Sequence, residues 1–300
     1  YVGNRSVWNQ ANSLTGWNAL TPERLNAFGL DISRAADRDL LISPLNSPLA
    51  AARGFGRAPY AGFPTGLTVA QSLRPFPQFG DIAVRWAPLG NTWYDAFQAR
   101  LVKRFSGGFG FTAAFTRQKE LTLGVEDQSG SSSAVNDVFN RGKQKGLFPQ
   151  SRPLVLAASF SYSTPGAGPY RVIRFLAGGW TVAGMLRYQS GPLIRIPGAR
   201  NNLEQLLFRG TFANRVEGEP LFLADAGGRL DPNRERVLNP GAWSGPAPGQ
   251  WGLSALYFND YRGRRSPEES VSVGKLFRLR EGVSLAVRAE SYNVLNRTVL

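Results

Sequence analysis

The sequence predicts an all-β fold, an antiparallel transmembrane β-barrel fragment with long extracellular loops. Three observations support this. Apolar and polar residues alternate over several segments of about ten residues, the length of a tilted membrane strand. Glycine (34) and proline (20) are frequent among the 300 residues, which is typical of many strands joined by irregular connections. Those connections are sharply unequal in length, as in barrels with short turns on one side and long loops on the other.

The clearest alternation lies in a predicted hairpin. Phe109, Phe111 and Phe115 share one face of its second strand, and small or polar residues occupy the other face. Residues 97–105 alternate in the same way, and Gly107-Gly108 between the two segments indicates a tight turn. The sequence therefore predicts strands with one apolar and one polar face.

The same pattern recurs along the chain, so residues 1–300 are interpreted as one partial outer-membrane β-barrel domain. The predicted spans are about 93–105, 109–119, 154–163, 179–194, 269–277 and 283–294. The predicted outer loops are about 5–91, 120–151 and 196–268, which places every long connection on one side. Within the first loop, Thr21-Pro22-Glu23 predicts a helix start and Gly29 its stop.

The apolar face could instead pack against a second sheet in a soluble β-sandwich. The polar face favours the membrane barrel, because it is rich in Ser, Thr, Gly, Ala and Gln with a few Arg. Such a face suits an enclosed interior better than open solvent. The residues predicted to face that interior, or a plug domain within it, are Gln98, Arg100, Arg104, Thr112, Thr116, Arg187, Gln189, Arg288 and Glu290.

Composition argues against an enzyme. The chain has neither cysteine nor histidine, which excludes thiolate nucleophiles, Ser-His-Asp arrangements and most transition-metal sites. No catalytic, cofactor-binding or metal-ligating residue is predicted, and no cofactor is expected. The segment 231–235 has alternate oxygen ligands that could suit calcium, but it lacks the glycine and distal glutamate of a helix-loop-helix calcium loop.

The formal net charge is +14. Nucleic-acid binding is not expected, because the arginines are dispersed and accompany no recognition motif. Outer-membrane lipid, anionic lipopolysaccharide or an anionic solute is the favoured partner of this charge.

Several short segments resemble the TonB-dependent outer-membrane receptors of the Oar-like type. The matching segments are Pro75-Phe76-Pro77-Gln78-Phe79-Gly80, Pro88-Leu89-Gly90-Asn91-Thr92-Trp93-Tyr94, Lys103-Arg104-Phe105-Ser106, Gly178-Gly179-Trp180, Tyr188-Gln189-Ser190-Gly191-Pro192-Leu193, Asn214-Arg215-Val216, Asn239-Pro240-Gly241-Ala242-Trp243, and Arg288-Ala289-Glu290-Ser291-Tyr292-Asn293-Val294-Leu295-Asn296. Their order and spacing cover nearly the whole chain.

The resemblance implies a barrel of the bacterial cell outer membrane, plugged by an N-terminal domain and often preceded by a carboxypeptidase-regulatory-like module. It implies uptake of an unidentified solute, powered through the TonB complex. We expect this chain to be a C-terminal part of the barrel, without plug and final strand. Two alternatives stay open: an outer-membrane adhesin or secretion-related barrel without import, and a soluble β-rich carbohydrate-binding domain.

Overall fold

The computed structural model describes residues 1–11, 17–82, 87–123, 139–165, 178–199, 210–224 and 234–297, with positions 137, 170, 172, 175, 176, 201, 203 and 206. The strands are β1 (Val2–Ala11), β2 (Ala87–Ser106), β3 (Phe109–Leu123), β4 (Gly146–Leu147), β5 (Leu154–Ser163), β6 (Trp180–Gln189), β7 (Leu193–Arg195), β8 (Gly198–Ala199), β9 (Thr211–Phe212), β10 (Asn214–Arg215), β11 (Trp243–Ser244), β12 (Tyr257–Arg262), β13 (Ser266–Arg280) and β14 (Val283–Tyr292).

Seven long strands form the main sheet, an antiparallel meander in the order β1-β2-β3-β5-β6-β13-β14. The short strand β4 joins this sheet by pairing with β3. Gly107 and Gly108 turn β2 into β3, and Gly282 lies in the turn between β13 and β14. All three glycines have positive φ values between 59° and 80°, a region that suits glycine because it has no Cβ. The predicted all-β antiparallel fold is confirmed.

The first predicted outer loop, 5–91, is wrong at both ends. Val2–Ala11 is a full strand that pairs with β2, and β2 already begins at Ala87. The alternation in β1 is hidden because its register shifts between Ser6 and Asn9 and again before Ala11. Trp8, within the first of these irregularities, has a φ of +63°. The connection between the two strands is therefore 12–86.

The bounds of other predicted segments also shift. Strand β3 continues to Leu123, so the second loop begins later than residue 120. Strand β13 begins at Ser266, within the predicted third loop. The span predicted as 179–194 divides into β6 and the separate strand β7, and β14 ends at Tyr292.

All long connections leave the main sheet at one end. The meander is antiparallel throughout, so 12–86, 124–153 and 190–265 lie at the same end, which we call the loop end. The connections 107–108, 164–179 and 281–282 lie at the opposite end, called the turn end. The sequence predicts the same arrangement, with every long connection on one side.

The first long connection contains four short helices, α1 (Pro22–Ala27), α2 (Ala35–Ile42), α3 (Pro48–Ala52) and α4 (Val69–Ser72). Helix α1 confirms the predicted start, because the Thr21 hydroxyl accepts a hydrogen bond from the backbone N–H of Arg24 at 3.2 Å. Gly29 follows the helix with a φ of +72°. No helix among the described residues is long and apolar enough to cross a membrane.

Two hydrophobic cores lie in the first and third long connections. The first joins leucines of the helical connection, such as Leu40 and Leu41, with Leu203 and Leu206 of the third connection. The second, around Tyr261, lies within the third connection. Short 3₁₀ helices span Arg141–Gln144 and Pro240–Ala242. The loop end is thus a folded assembly.

Candidate solute-facing surface

The main sheet has two chemically different faces. Side chains alternate across each strand, and the register connects corresponding positions from strand to strand: Gln98 with Thr116, Thr112 with Ser159, Ser159 with Met185, and Met185 with Ser270. We call the face carrying these residues the polar face. The apolar face carries the side chains between them, including Leu101, Phe115 and Leu156.

All nine residues predicted to face an interior lie on the polar face or at its bulge. Arg100, Thr112 and Thr116 follow the parity of Gln98 in β2 and β3. Arg187 and Gln189 oppose Ala157 and Val155, Glu290 opposes Ser272, and Arg288 opposes Gly274. Arg104 lies in the register shift between Lys103 and Ser106. The structure therefore brings these positions onto one continuous surface. Their orientation toward a lumen stays a prediction.

Ion pairs place charge on this surface. Arg288 and Glu290 lie two residues apart on β14, and their side chains approach to 2.6 Å between Nη2 and Oε1. Arg187 lies 4.0 Å from Glu268 on the neighbouring strand. These partly exposed groups keep hydrogen-bonding capacity that a polar solute or a protein surface can use.

A groove of about 350 Å³ runs across the polar face from β5 to β14. Its lining includes Ser159, Met185, Ser272, Arg288 and Glu290. The sequence prediction missed Ser159, Met185 and Ser272, although the same alternation placed them on this face. They were overlooked because only the larger polar side chains were selected.

The groups on this surface are suited to binding through hydrogen bonds and charge. The surface offers serine and threonine hydroxyls, guanidinium groups and the paired carboxylates of Glu268 and Glu290, which donate and accept hydrogen bonds. In the part of the chain that the structure describes, no three acidic side chains come together to hold a metal ion. The possible calcium segment 231–235 lies mostly outside the described residues.

Many large side chains of the apolar face are exposed. Leu101 is 62% exposed, Phe97 57% and Leu285 51%. A β-sandwich would bury such side chains against a second sheet, but the other sheets among the described residues have only two strands each. The buried cores consist of residues from the long connections. This face has the character of a lipid-contacting wall.

Two charged residues on the apolar face have protein partners that replace water. Lys275, near the turn end, donates to the carbonyl oxygens of Phe175 and Leu176, and its Nζ lies 4.8 Å from the ring centroid of Phe277. Glu269, near the loop end, is 2% exposed. It accepts from the Tyr188 hydroxyl at 3.1 Å and pairs with Arg297 at 3.2 Å. Both charges are compatible with a lipid-facing wall because each is enclosed by protein.

Arg262 of β12 links two of the long connections at the loop end. Its Nη1 donates to the carbonyl oxygen of Ser151 at 2.8 Å and to that of Gly191 at 3.2 Å. Burial, followed by the nearby charge of Arg152, lowers the pKa of the Arg262 guanidinium. One half-buried cation thus joins the second and third connections.

A second buried network orders the first connection. The Asn18 amide donates to the carbonyl oxygens of Phe76, Phe79 and Gly80 at 2.7–3.0 Å, and its Oδ1 accepts from the Phe76 N–H at 2.8 Å. Desolvation lowers the pKa of the adjacent Arg74 to about 10, so this side chain is still protonated at neutral pH. The network fixes the Pro75–Gly80 segment on which part of the family resemblance rests.

The comparisons with known proteins agree with this architecture. The family model of an outer membrane beta barrel domain matches residues 1–300. No curated protein and no solved structure matches the chain. The main sheet itself is open, with β1 and β14 at its two edges. Since the family match covers the whole sequence, the chain belongs to the outer membrane beta barrel domain family and resides in the bacterial outer membrane, among its lipid and lipopolysaccharide.

Proposed function

We propose that this chain forms part of the wall of a TonB-dependent outer-membrane transporter that imports an unidentified solute. One observation carries the proposal: residues predicted independently from four strands fall on a single polar face, opposite an exposed apolar face. Such a division is expected where one side of a sheet meets lipid and the other an aqueous or protein-filled interior. The resemblance to Oar-like receptors adds the TonB-dependent plug.

In this mechanism the polar face makes and breaks hydrogen bonds and forms no covalent bond. At rest, groups such as Arg100, Arg187 and Gln189 hold the surface of a plug domain of the same protein. When the TonB complex pulls on the plug, these bonds exchange for bonds to water and to the solute. Because the exchanged bonds are of similar strength, plug movement has a modest net cost per contact. We propose no enzymatic activity.

Uptake is tested with the complete gene in its own host. Cells with the gene, cells without it, and cells without TonB are incubated with a defined mixture of ferric siderophores, cobalamin and oligosaccharides. Mass spectrometry then measures the depletion of each compound. We expect at least one compound to be depleted only when both the gene and TonB are present. Depletion that persists without TonB would contradict the proposal.

An adhesin without import is the second candidate. It is favoured by the loop end, where two hydrophobic cores give the long connections a fixed shape. Preformed surfaces of this kind suit recognition of other surfaces because little ordering entropy is lost on binding. If cells without the gene attach less to surfaces while their solute depletion is unchanged, the result would support the adhesin function.

A further inference from the structure

Three cations lie where the apolar face ends toward the loop end. Arg117 and Lys119 occupy alternate positions of β3 and continue the row that contains Phe115. Lys145 directly precedes β4, where Leu147 pairs with Leu121 of β3 and shares its face. All three side chains are exposed. We call them the basic cluster.

The distance along β3 places the basic cluster at a membrane boundary. From Phe109 to Arg117 the strand advances eight residues, about 27 Å at roughly 3.4 Å per residue. With the usual tilt of about 40°, this corresponds to a height of about 21 Å, close to the roughly 25 Å apolar band of such barrels. Arg117 and Lys119 therefore lie at the level of lipid headgroups, while Phe109 to Phe115 cover the acyl chains.

The Asp95 carboxylate beside the cluster compensates its charge only in part. Asp95 opposes Lys119 across the β2–β3 pair, but its carboxylate already binds the Arg5 guanidinium at 3.0 Å and accepts from the Tyr1 hydroxyl. Lys145 lies 3.9 Å from the ring centroid of Trp93, as a cation–π contact. Within the described ranges, none of the three cations forms an ion pair. The cluster thus keeps three positive charges beside lipid.

We propose that Arg117, Lys119 and Lys145 bind the phosphate groups of a phosphorylated lipid in the outer leaflet. Arginine and lysine at a headgroup boundary favour anionic partners, and the planar guanidinium can bind phosphate with two hydrogen bonds. The indole of Trp93 suits the same interfacial level. The proposal rests on an orientation with the loop end outward and not on solute import, so either can fail alone.

Binding is measured with the complete protein in detergent micelles. The probes are bisphosphorylated lipid A and the same lipid after removal of both phosphates. We expect at least ten-fold tighter binding of the phosphorylated probe. The triple variant Arg117→Gln, Lys119→Gln, Lys145→Gln should weaken that binding at least ten-fold and leave the dephosphorylated probe unaffected.

A matched variant controls for net charge. Arg57, Arg236 and Arg265 are exposed in the long connections, and replacing all three by Gln removes the same charge from the same end of the molecule. This variant should bind like the wild type. Equal loss in both variants, or unchanged binding in the cluster variant, would refute the site.

A further measurement does not depend on the variants folding. On the wild-type protein, raising NaCl from 50 to 500 mM should weaken binding of the phosphorylated probe several-fold, because its contacts are screened charges. The dephosphorylated probe should be unaffected by salt. A wild-type protein that binds both probes equally, at either salt concentration, contradicts the proposal whatever the variants do.

Discussion

At the scale of single residues, stability at the loop end depends on buried polar side chains such as Asn18, whose amide group and oxygen are all hydrogen-bonded. The Asn18 side chain uses both amide hydrogens and its oxygen on backbone groups of the 76–80 segment. A buried polar network of this kind is costly to disturb because unpaired groups lose the water that they had in the unfolded chain. The sequence identified the Pro75–Gly80 segment by its family resemblance, but it did not predict the hydrogen bonds from Asn18 that hold this segment in place.

Asn18→Leu should therefore loosen the first connection. The new side chain has a similar volume but leaves three carbonyl groups and one N–H without their partner, which costs about 2–4 kcal/mol in local stability. Hydrogen exchange of residues 17–82 should accelerate accordingly. Asn26→Leu, at an exposed position of α1, should leave exchange unchanged. Equal exchange in the two variants would show that the network is dispensable.

Gly184 of β6 lies beside the aromatic ring of Phe160 on β5. This ring occupies the space that a larger residue at position 184 would need. A Cβ at this position would lie 2.5 Å from Cε1 of Phe160, its direct partner across the β5–β6 pair. Gly184→Ala should cost about 1–3 kcal/mol because the ring must leave its position. Urea unfolding in lipid vesicles, followed by tryptophan fluorescence, measures the loss.

The double variant identifies the cause of that loss. With Phe160→Ala as background, Gly184→Ala should cost much less, since the ring is gone. Gly66→Ala is the matched control, because a Cβ there meets nothing within 4 Å. A Gly184→Ala cost that is the same in both backgrounds would assign the effect to backbone conformation instead.

At the scale of elements, the alternation of side chains predicted most of the main sheet. It succeeded for β5, whose register is regular on both sides, and for β3 and β14, whose register shifts lie only near the turns. It failed for β1 because two register shifts break the alternation. The N-cap of α1 could also be predicted, since Thr21, Pro22 and Gly29 act through local backbone geometry.

Arg262 joins elements that are distant in sequence. Arg262→Met keeps much of the side-chain volume but removes the hydrogen bonds to Ser151 and Gly191. Since bonds from a charged donor contribute about 1.5–3 kcal/mol each, the second and third connections should become more sensitive to protease. Limited proteolysis of the folded protein measures this. Arg265→Met, which changes an exposed neighbour, should cleave at the wild-type rate.

At the scale of the whole molecule, the long connections form a structured cap on one end of a two-faced sheet. Their packing could not be predicted from the sequence, because Leu203 and Leu206 join the core of a helical segment more than 100 positions earlier and no local pattern reports such a contact. The polar face could be predicted, since alternation alone determines it. The groove across the polar face could not be predicted, because its shape depends on the arrangement of four strands, β5, β6, β13 and β14.

The central claim is that the apolar face meets lipid and the polar face does not. The chain has no cysteine, so single cysteines can carry spin labels at Leu101 and Phe115 on one face, and at Thr112 and Ser159 on the other. In the complete protein in bilayers, labels at the first two positions should collide frequently with oxygen, which concentrates in lipid. Labels at Thr112 and Ser159 should show low oxygen accessibility. High oxygen accessibility at Thr112 and Ser159, or access of a water-soluble nickel complex to Leu101 and Phe115, would contradict the account.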